Sequence, residues 1–112
     1  MLDFIFEQLE GFFDFIGEII AFVFDGIITL YEHVTSYFRG LKLRKGRDIP
    51  FIADEKKLAD LIHNAPVKDC GIFEATFNEN TQEIENYRLL EADEIDDSLR
   101  AVLGNEKLVV LS

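Results

Sequence analysis

The sequence predicts an α+β protein in which a long, Phe-rich N-terminal helix, amphipathic or transmembrane, precedes a small α-β-β-α-β domain. Acidic residues recur at helical spacing through the apolar first third of the chain, and the second half alternates helix signals with short runs of β-forming residues. Charge divides the chain in the same way. Residues 1–38 carry seven acids and no Lys or Arg, residues 39–47 carry five bases and no acid, and residues 48–112 carry fifteen acids and six bases.

These blocks contribute −7, +5 and −9 to the net charge of −11. We therefore expect an N-terminal apolar helix over residues 1–38, a basic connector over 39–50 and a small α+β domain over 51–112. The strongly negative balance argues against nucleic acid as a partner, because phosphate binding requires clustered Lys and Arg side chains.

An acidic stripe predicts that the first segment is one helix. Between Leu2 and Phe38 there is no proline, and the acids follow one another at steps that fit about 3.6 residues per turn. At about 100° per residue they fall within an arc of roughly 80°. The stripe consists of Asp3, Glu7, Glu10, Asp14, Glu18, Asp25 and Glu32.

The remaining surface of this helix is too apolar to face water. Eight of the eleven Phe residues precede residue 39, whereas an ordinary amphipathic helix has an apolar face somewhat over 100° wide. The C-terminal domain is too small to cover a rod of about 55 Å. We expect the rod to be covered by lipid or by other copies of the chain. A structure in which it breaks into short pieces packed on its own C-terminal half would overturn this prediction.

A bilayer is the first candidate environment for the helix. About 20 residues suffice to cross a membrane, but Glu18 and Asp25 interrupt the apolar run, and an acid at mid-bilayer costs about 2.5–3.5 kcal/mol. Several copies that turn their stripes inward would avoid this cost and form a pore-like acidic lining that favours cations. The leading hypothesis is therefore a non-enzymatic, membrane-anchored protein that assembles with itself.

The basic connector predicts the orientation of the chain. Its five bases follow the apolar segment directly, and cations next to a membrane span mark its cytoplasmic side. Cys70 is the single cysteine, which excludes an intramolecular disulfide and is typical of a reducing compartment. We expect a cytoplasmic C-terminal domain and membrane-proximal bases, although the same bases could simply complement a helix C-terminus. They are Arg39, Lys42, Arg44, Lys45 and Arg47.

The first half of the C-terminal domain predicts a helix and a hairpin. Residues 48–50 are an extended lead-in, because the residue before Pro50 avoids the α region. Early acids, a shared apolar face and a proline just beyond its end predict a helix over 54–64. Alternation predicts a strand over 70–77, and polar turn residues then lead into a returning strand over 83–90.

The last residues predict a helix and a closing strand. Asp93 is a candidate N-cap, further acids fill the first turn, and Gly104 ends the helix, which gives a helix over 93–103. The apolar run 108–111 predicts a strand that is buried on both faces.

Few residues suggest catalysis or metal binding. Cys70 and His63 could form a nucleophile–base pair, but nothing around them indicates activation. The acids between residues 91 and 97 lack the glycine and the ligand spacing of a calcium loop, and helix capping explains most of them. We expect no catalytic residues, no bound metal and no cofactor.

Two other functions fit the same sequence. In the first, the chain is a soluble structural subunit whose helix is buried inside a larger assembly. In the second, it is an inhibitor or binding module whose helix docks on a partner protein. A requirement for detergent would separate these alternatives from a membrane anchor.

Overall fold

The computed structural model describes residues 2–63 and 65–111 and shows a mixed α+β fold. Within them, three α-helices and seven strands alternate with one π-helical turn, Leu30–Thr35, and one 3-10 turn, Glu55–Leu58. The helices are α1 (Leu2–Ile16), α2 (Ser36–Gly40) and α3 (Asp97–Leu103). The strands are β1 (Ala21–Val23), β2 (Ile27–Ile28), β3 (Asp48–Asp54), β4 (Cys70–Asn78), β5 (Glu83–Ala92), β6 (Glu94–Ile95) and β7 (Leu108–Val110).

Five strands form the main sheet in the order β1-β5-β4-β3-β7, and β2 pairs with β6 in a second, two-stranded sheet. The hairpin β4–β5 is antiparallel and contains a bulge, because Ala75 faces two residues of β5 between the pairs Glu74–Arg88 and Thr76–Glu85. The short strand β1 lies parallel to β5 and pairs only with Leu89, Leu90 and Glu91. The sheet therefore ends at β1 on one side and at β7 on the other.

Helix α1 covers one face of the main sheet. Ile5, Leu9 and Phe13 are fully buried at i, i+4 and i+8, which is the spacing of one helix face. They pack with residues of β3 and β4 in a single apolar core, in which the rings of Phe13 and Phe73 meet edge to face at 5.1 Å. The first third of the chain thus supplies four of the thirteen buried residues of this core.

The opposite face is covered by the segment between β1 and β3 together with α3. Val34 and Phe38 pack there against Ile52, Ile72 and other apolar residues of the sheet and of α3. Because both faces are covered, every residue of β4 from Gly71 to Asn78 is buried.

The prediction of one long helix was wrong. Helix α1 ends at Ile16, and Gly17 follows it with φ of 74°, a left-handed conformation that commonly ends helices. In the described part of the chain, no helix is long and apolar enough to cross a membrane. The longest dimension of the molecule is 37 Å, shorter than the predicted rod. The transmembrane helix and the pore are therefore overturned, because the segment breaks and packs on its own C-terminal half.

The elements predicted for the second half fare better. The strands at 70–77 and 83–90 are confirmed as β4 and β5, and the closing strand is confirmed as β7. The helix predicted over 54–64 is a 3-10 turn over Glu55–Leu58, and its last predicted residue, Asn64, lies outside the described residues. The helix predicted from Asp93 begins at Asp97 with Asp96 as its N-cap. The lead-in at 48–50 opens a full strand, β3.

Candidate functional site

Strand β1 and the residues that lead into it carry highly exposed apolar side chains. Phe15, in the last turn of α1, is 90% exposed, Ile20 is 91% exposed, and Phe22 in β1 is 62% exposed. Val23 and Tyr87 are also exposed. We call these five side chains the apolar edge. Burying them would remove apolar surface from water, which is the main driving force of protein association.

Strand pairing leaves this edge open. Strand β5 has ten residues, but β1 pairs with only three of them, so among the described residues the outer side of Glu83–Arg88 pairs with no strand. An open notch of ≈ 250 Å³ lies where β1 begins. It is smaller than the roughly 300–1,000 Å³ that is typical of small-molecule sites. The notch is lined by Ile16, Glu18, Ile19, Ile20, Phe22, Tyr87 and Arg88.

A buried ion pair lies behind the notch. Glu74 of β4 is fully buried and accepts a hydrogen bond from Nε of Arg88, which lies opposite it on β5. The Arg88 guanidinium also donates to the carbonyl of His33 and lies 3.9 Å from the ring centroid of Tyr37. The Tyr37 hydroxyl donates to the carbonyl of Asn86 in the bulge at 2.7 Å. These contacts fix the side chain of Arg88 at the inner wall of the notch.

Burial dominates the electrostatics of this pair. Removal from water raises the pKa of Glu74 to about 7, although the hydrogen bond and the charge of Arg88 act in the opposite direction. The second oxygen, Oε2, is buried without a hydrogen-bond partner in the described structure. Burial also raises the pKa of the Tyr37 hydroxyl.

Two further buried carboxyl groups, those of Glu55 and Glu91, lie near the other end of the hairpin. Glu55, in the 3-10 turn, is 3% exposed, and Glu91 of β5 is 1% exposed. Gly71, which contacts the Glu55 side chain, lies opposite Glu91 in the hairpin, and burial together with the charge of Glu91 raises the pKa of Glu55 to about 7. Glu55 therefore retains its proton well above the pH at which an ordinary glutamic acid releases it.

Hydrogen bonds connect this carboxyl pair to the residues that follow β1. Glu91 Oε1 accepts from the backbone N–H groups of Val67 at 2.7 Å and Lys68 at 3.2 Å. The ammonium group of Lys68 in turn binds the carboxylates of Asp25 and Asp93. Asp25 is two residues beyond the end of β1, so the carboxyl pair and the apolar edge belong to one hydrogen-bonded network.

The predicted acidic stripe is divided among several elements. Asp3, Glu7, Glu10 and Asp14 lie on the exposed face of α1, opposite its buried residues. The other three do not continue this face: Glu18 lines the notch, Asp25 binds Lys68, and Glu32 is exposed in the π-helical turn. In the described structure the predicted stripe is therefore a solvent-exposed helix face followed by acids on separate elements.

The basic residues lie in the last turn of α2 and between α2 and β3. Arg39, Lys42, Arg44 and Lys45 are exposed. Arg47 differs, because it forms a bidentate ion pair with buried Asp48 through Nε at 3.0 Å and Nη2 at 2.9 Å. This pair, with the backbone N–H of Arg44, holds the pKa of the Asp48 carboxyl below its usual value. A role of these bases next to a membrane stays a prediction.

The remaining sequence candidates have structural partners. His63 Nε2 lies 3.4 Å from Asp14, and both side chains are exposed. Asp93 accepts from the backbone N–H of Gly26 at 3.0 Å, and Asp96 accepts from those of Leu99 and Leu30. Within residues 2–63 and 65–111, no group of three or more His, Cys, Asp and Glu side chains is arranged to hold a metal ion.

The sequence did not reveal the buried ion pair of Glu74 and Arg88 or the buried carboxyl groups of Glu55 and Glu91. Glu74 and Glu91 lie in strands that the sequence predicts correctly. Nothing in the sequence shows that the polar face of this hairpin is covered by other residues. The signal that the sequence contains is Gly71, the second residue of β4, because a Cβ atom at this position would overlap the Glu55 side chain.

Comparisons of the chain with protein-family models, with curated proteins and with solved structures find no match.

Proposed function

We propose that this chain is a non-enzymatic protein that associates with a second copy of itself through the apolar edge. The observation that carries the proposal is the exposure of Phe15, Ile20 and Phe22 beside an open strand edge. Exposed strand edges are templates for pairing with another chain, and proteins usually shield them with charge, proline or a covering segment. Strand β1 presents apolar side chains instead.

The area of the edge fits a dimer contact. An aromatic side chain buries about 150–250 Å² when it is fully covered, so Phe15, Ile20, Phe22 and Tyr87 together offer on the order of 500 Å² at their present exposure. A stable interface covers about 800 Å² on each partner, with an apolar centre and a polar rim. The apolar edge supplies the centre of such an interface, and backbone pairing of β1 would add to it.

A second copy is the occupant that the edge itself suggests. A two-fold axis beside β1 would place two identical strands antiparallel and join two five-stranded sheets into one. Each copy also presents both an exposed side chain, Ile20, and the notch that this residue helps to line. Among the acids of the first 38 residues, Glu18 alone lines the notch, so most of that negative charge lies elsewhere than at the notch.

Sedimentation of the purified chain tests this proposal. We expect the wild type to reach twice the monomer mass of 12.9 kDa as its concentration rises. Phe22→Asp should keep the protein at the monomer mass, because it places a charge at the centre of the contact. Ser98→Asp adds the same charge on exposed α3, near the opposite edge of the sheet, and should dimerise like the wild type.

The fold of each variant is checked by circular dichroism and thermal unfolding, and Phe22 is exposed enough that its replacement should leave both unchanged. A wild-type chain that stays monomeric at all accessible concentrations would overturn the proposal, as would a Phe22→Asp variant that dimerises normally.

A further inference from the structure

We infer that Glu55 and Glu91 form a proton-binding site that regulates the apolar edge: with the proton bound, the residues after β1 are held in place, and its release frees them. This inference rests on the self-association proposed above. It concerns the same surface and adds the condition under which that surface is formed.

The site is tightly packed where Glu55 meets β4. Gly71 lies against the Glu55 side chain so closely that a Cβ atom at this position would overlap Oε1 and lie 2.9 Å from the Cβ of Glu55. Both glutamates are almost completely buried, and Glu55 Oε2 has no hydrogen-bond partner in the described residues. Two carboxyl groups in such a place are compatible when one is protonated and donates to the other.

The surroundings offer little to stabilise a second negative charge. From β3 the neighbouring carboxylate of Asp54 adds to the negative potential at Glu55. From β4 the site meets the backbone of Gly71, and from the loop before β4 it meets the N–H groups of Val67 and Lys68. Lys68 also carries an ammonium group, but this group is already bound to Asp25 and Asp93.

Backbone and side-chain contacts connect Glu91 to β1 and to the turn that follows it. Glu91 pairs in the sheet with Val23, and its carbonyl accepts the N–H of Phe24 at 3.0 Å. Its side chain holds the backbone of Lys68, whose ammonium binds Asp25 in the turn after β1. Asp93 closes the same turn by accepting the N–H of Gly26 at 3.0 Å.

Release of the proton to solvent leaves two buried carboxylates side by side. Lys68 is the cation that can answer this change, because its backbone N–H already contacts Glu91 and its side chain starts from the same residue. When Lys68 turns toward the carboxylates, Asp25 and Asp93 lose their cation, and the turn that fixes the end of β1 loses its anchor. The apolar edge is then less well formed, and association weakens.

The pH dependence of dimerisation tests the switch. We expect the dissociation constant of the wild type, measured by analytical ultracentrifugation, to rise at least tenfold between pH 5.5 and pH 8.5. Glu55→Gln imitates the protonated side chain and should dimerise with nearly the same affinity at both values. Glu106→Gln removes the same charge from an exposed loop next to β7, at the opposite edge, and should keep the wild-type pH dependence.

Amide exchange of the wild type and of Glu55→Gln provides an independent measurement. The N–H of Gly26 should exchange faster at pH 8.5 in the wild type than in Glu55→Gln, after correction for the intrinsic effect of pH. Equal protection of Gly26 in the two proteins, or equal pH dependence of their dimerisation, would overturn the switch. A wild type that is monomeric at both pH values but shows the difference at Gly26 overturns self-association and leaves the proton site intact.

Discussion

Burial changes the acidity of individual side chains in this protein. Glu55 and Glu74 are both removed from water, and the pKa of each is raised from 4.5 to about 7. The folded chain therefore binds protons that the unfolded chain has released. Their contribution to the free energy of unfolding is complete below about pH 4.5 and is lost as the pH rises toward about 7.

Arg88→Met tests the importance of the buried ion pair at Glu74. The substitution keeps much of the packing of Arg88 but leaves a buried carboxylate without its cation, which costs about 3 kcal/mol. We expect that loss in urea unfolding at pH 8 and a smaller one at pH 5, where Glu74 takes up a proton. The double variant Arg88→Met/Glu74→Gln serves as the control and should recover most of the stability at pH 8. Equal losses at both pH values would contradict this account.

For individual residues, the sequence predicts which face of a strand a side chain occupies but does not predict whether that face is buried. Alternation in β4 correctly placed Phe73, Ala75 and Phe77 on one side and Glu74 and Thr76 on the other. It could not show that the second side is also covered, because the covering residues come from the segment that had been assigned to a long helix. The Arg88 partner of Glu74 depends on a hairpin register that a bulge shifts by one residue.

Gly17 and the pairing of β1 with β5 determine the secondary structure of the first third of the chain. The acids keep helical spacing far beyond Ile16, yet Gly17 ends the helix and the run from Ile19 to Phe24 is rich in β-branched and aromatic residues. That run becomes a strand because β5 is available to pair with it. The sequence pattern of the hairpin was sufficient for β4 and β5, since both partners lie close in the chain. The pairing of β1 with β5, and with it the apolar edge, is beyond such local reasoning.

Asp96→Ala tests how one side chain joins two elements. Asp96 caps α3 by accepting from the N–H of Leu99 at 2.8 Å and also accepts from Leu30 at the start of the π-helical turn, at 3.2 Å. Loss of an N-cap costs about 1 kcal/mol, and the unpaired Leu30 N–H adds to it, so we expect a loss of about 2 kcal/mol. Asp97→Ala, in the same turn but exposed, should cost less than half of that in the same thermal unfolding assay. Equal losses would show that only helix charge matters.

At the scale of the whole molecule, the two ends of the chain form common cores. Ile5, Leu9 and Phe13 of α1 belong to the same cluster as Phe51 and Phe73. The division into an N-terminal helix and a domain over 51–112 stays a prediction until the second part is studied alone. The apolar character of the first third was recognised correctly, and what covers most of it is the rest of the chain.

A fragment of residues 48–112 tests that division. Without α1 one face of the main sheet, including Phe73 and Phe77, would be open to water. We therefore expect the fragment to lack a cooperative thermal transition and to give a poorly dispersed NMR spectrum. Addition of a synthetic peptide of residues 1–47 should restore dispersion, whereas a peptide with Phe13→Asp should not. A fragment that folds cooperatively by itself would establish 48–112 as an independent domain.

The parallel pairing of β1 with β5 also has a consequence for biosynthesis. Ala21 is joined to Leu89, so a ribosome must add 68 further residues before the strand can meet its partner. Until then α1 and β1 are present in the nascent chain without the sheet that covers them, and contacts so distant in sequence form slowly. Chaperones that recognise apolar stretches would find one here early in translation, before the partner strand of β1 has been made.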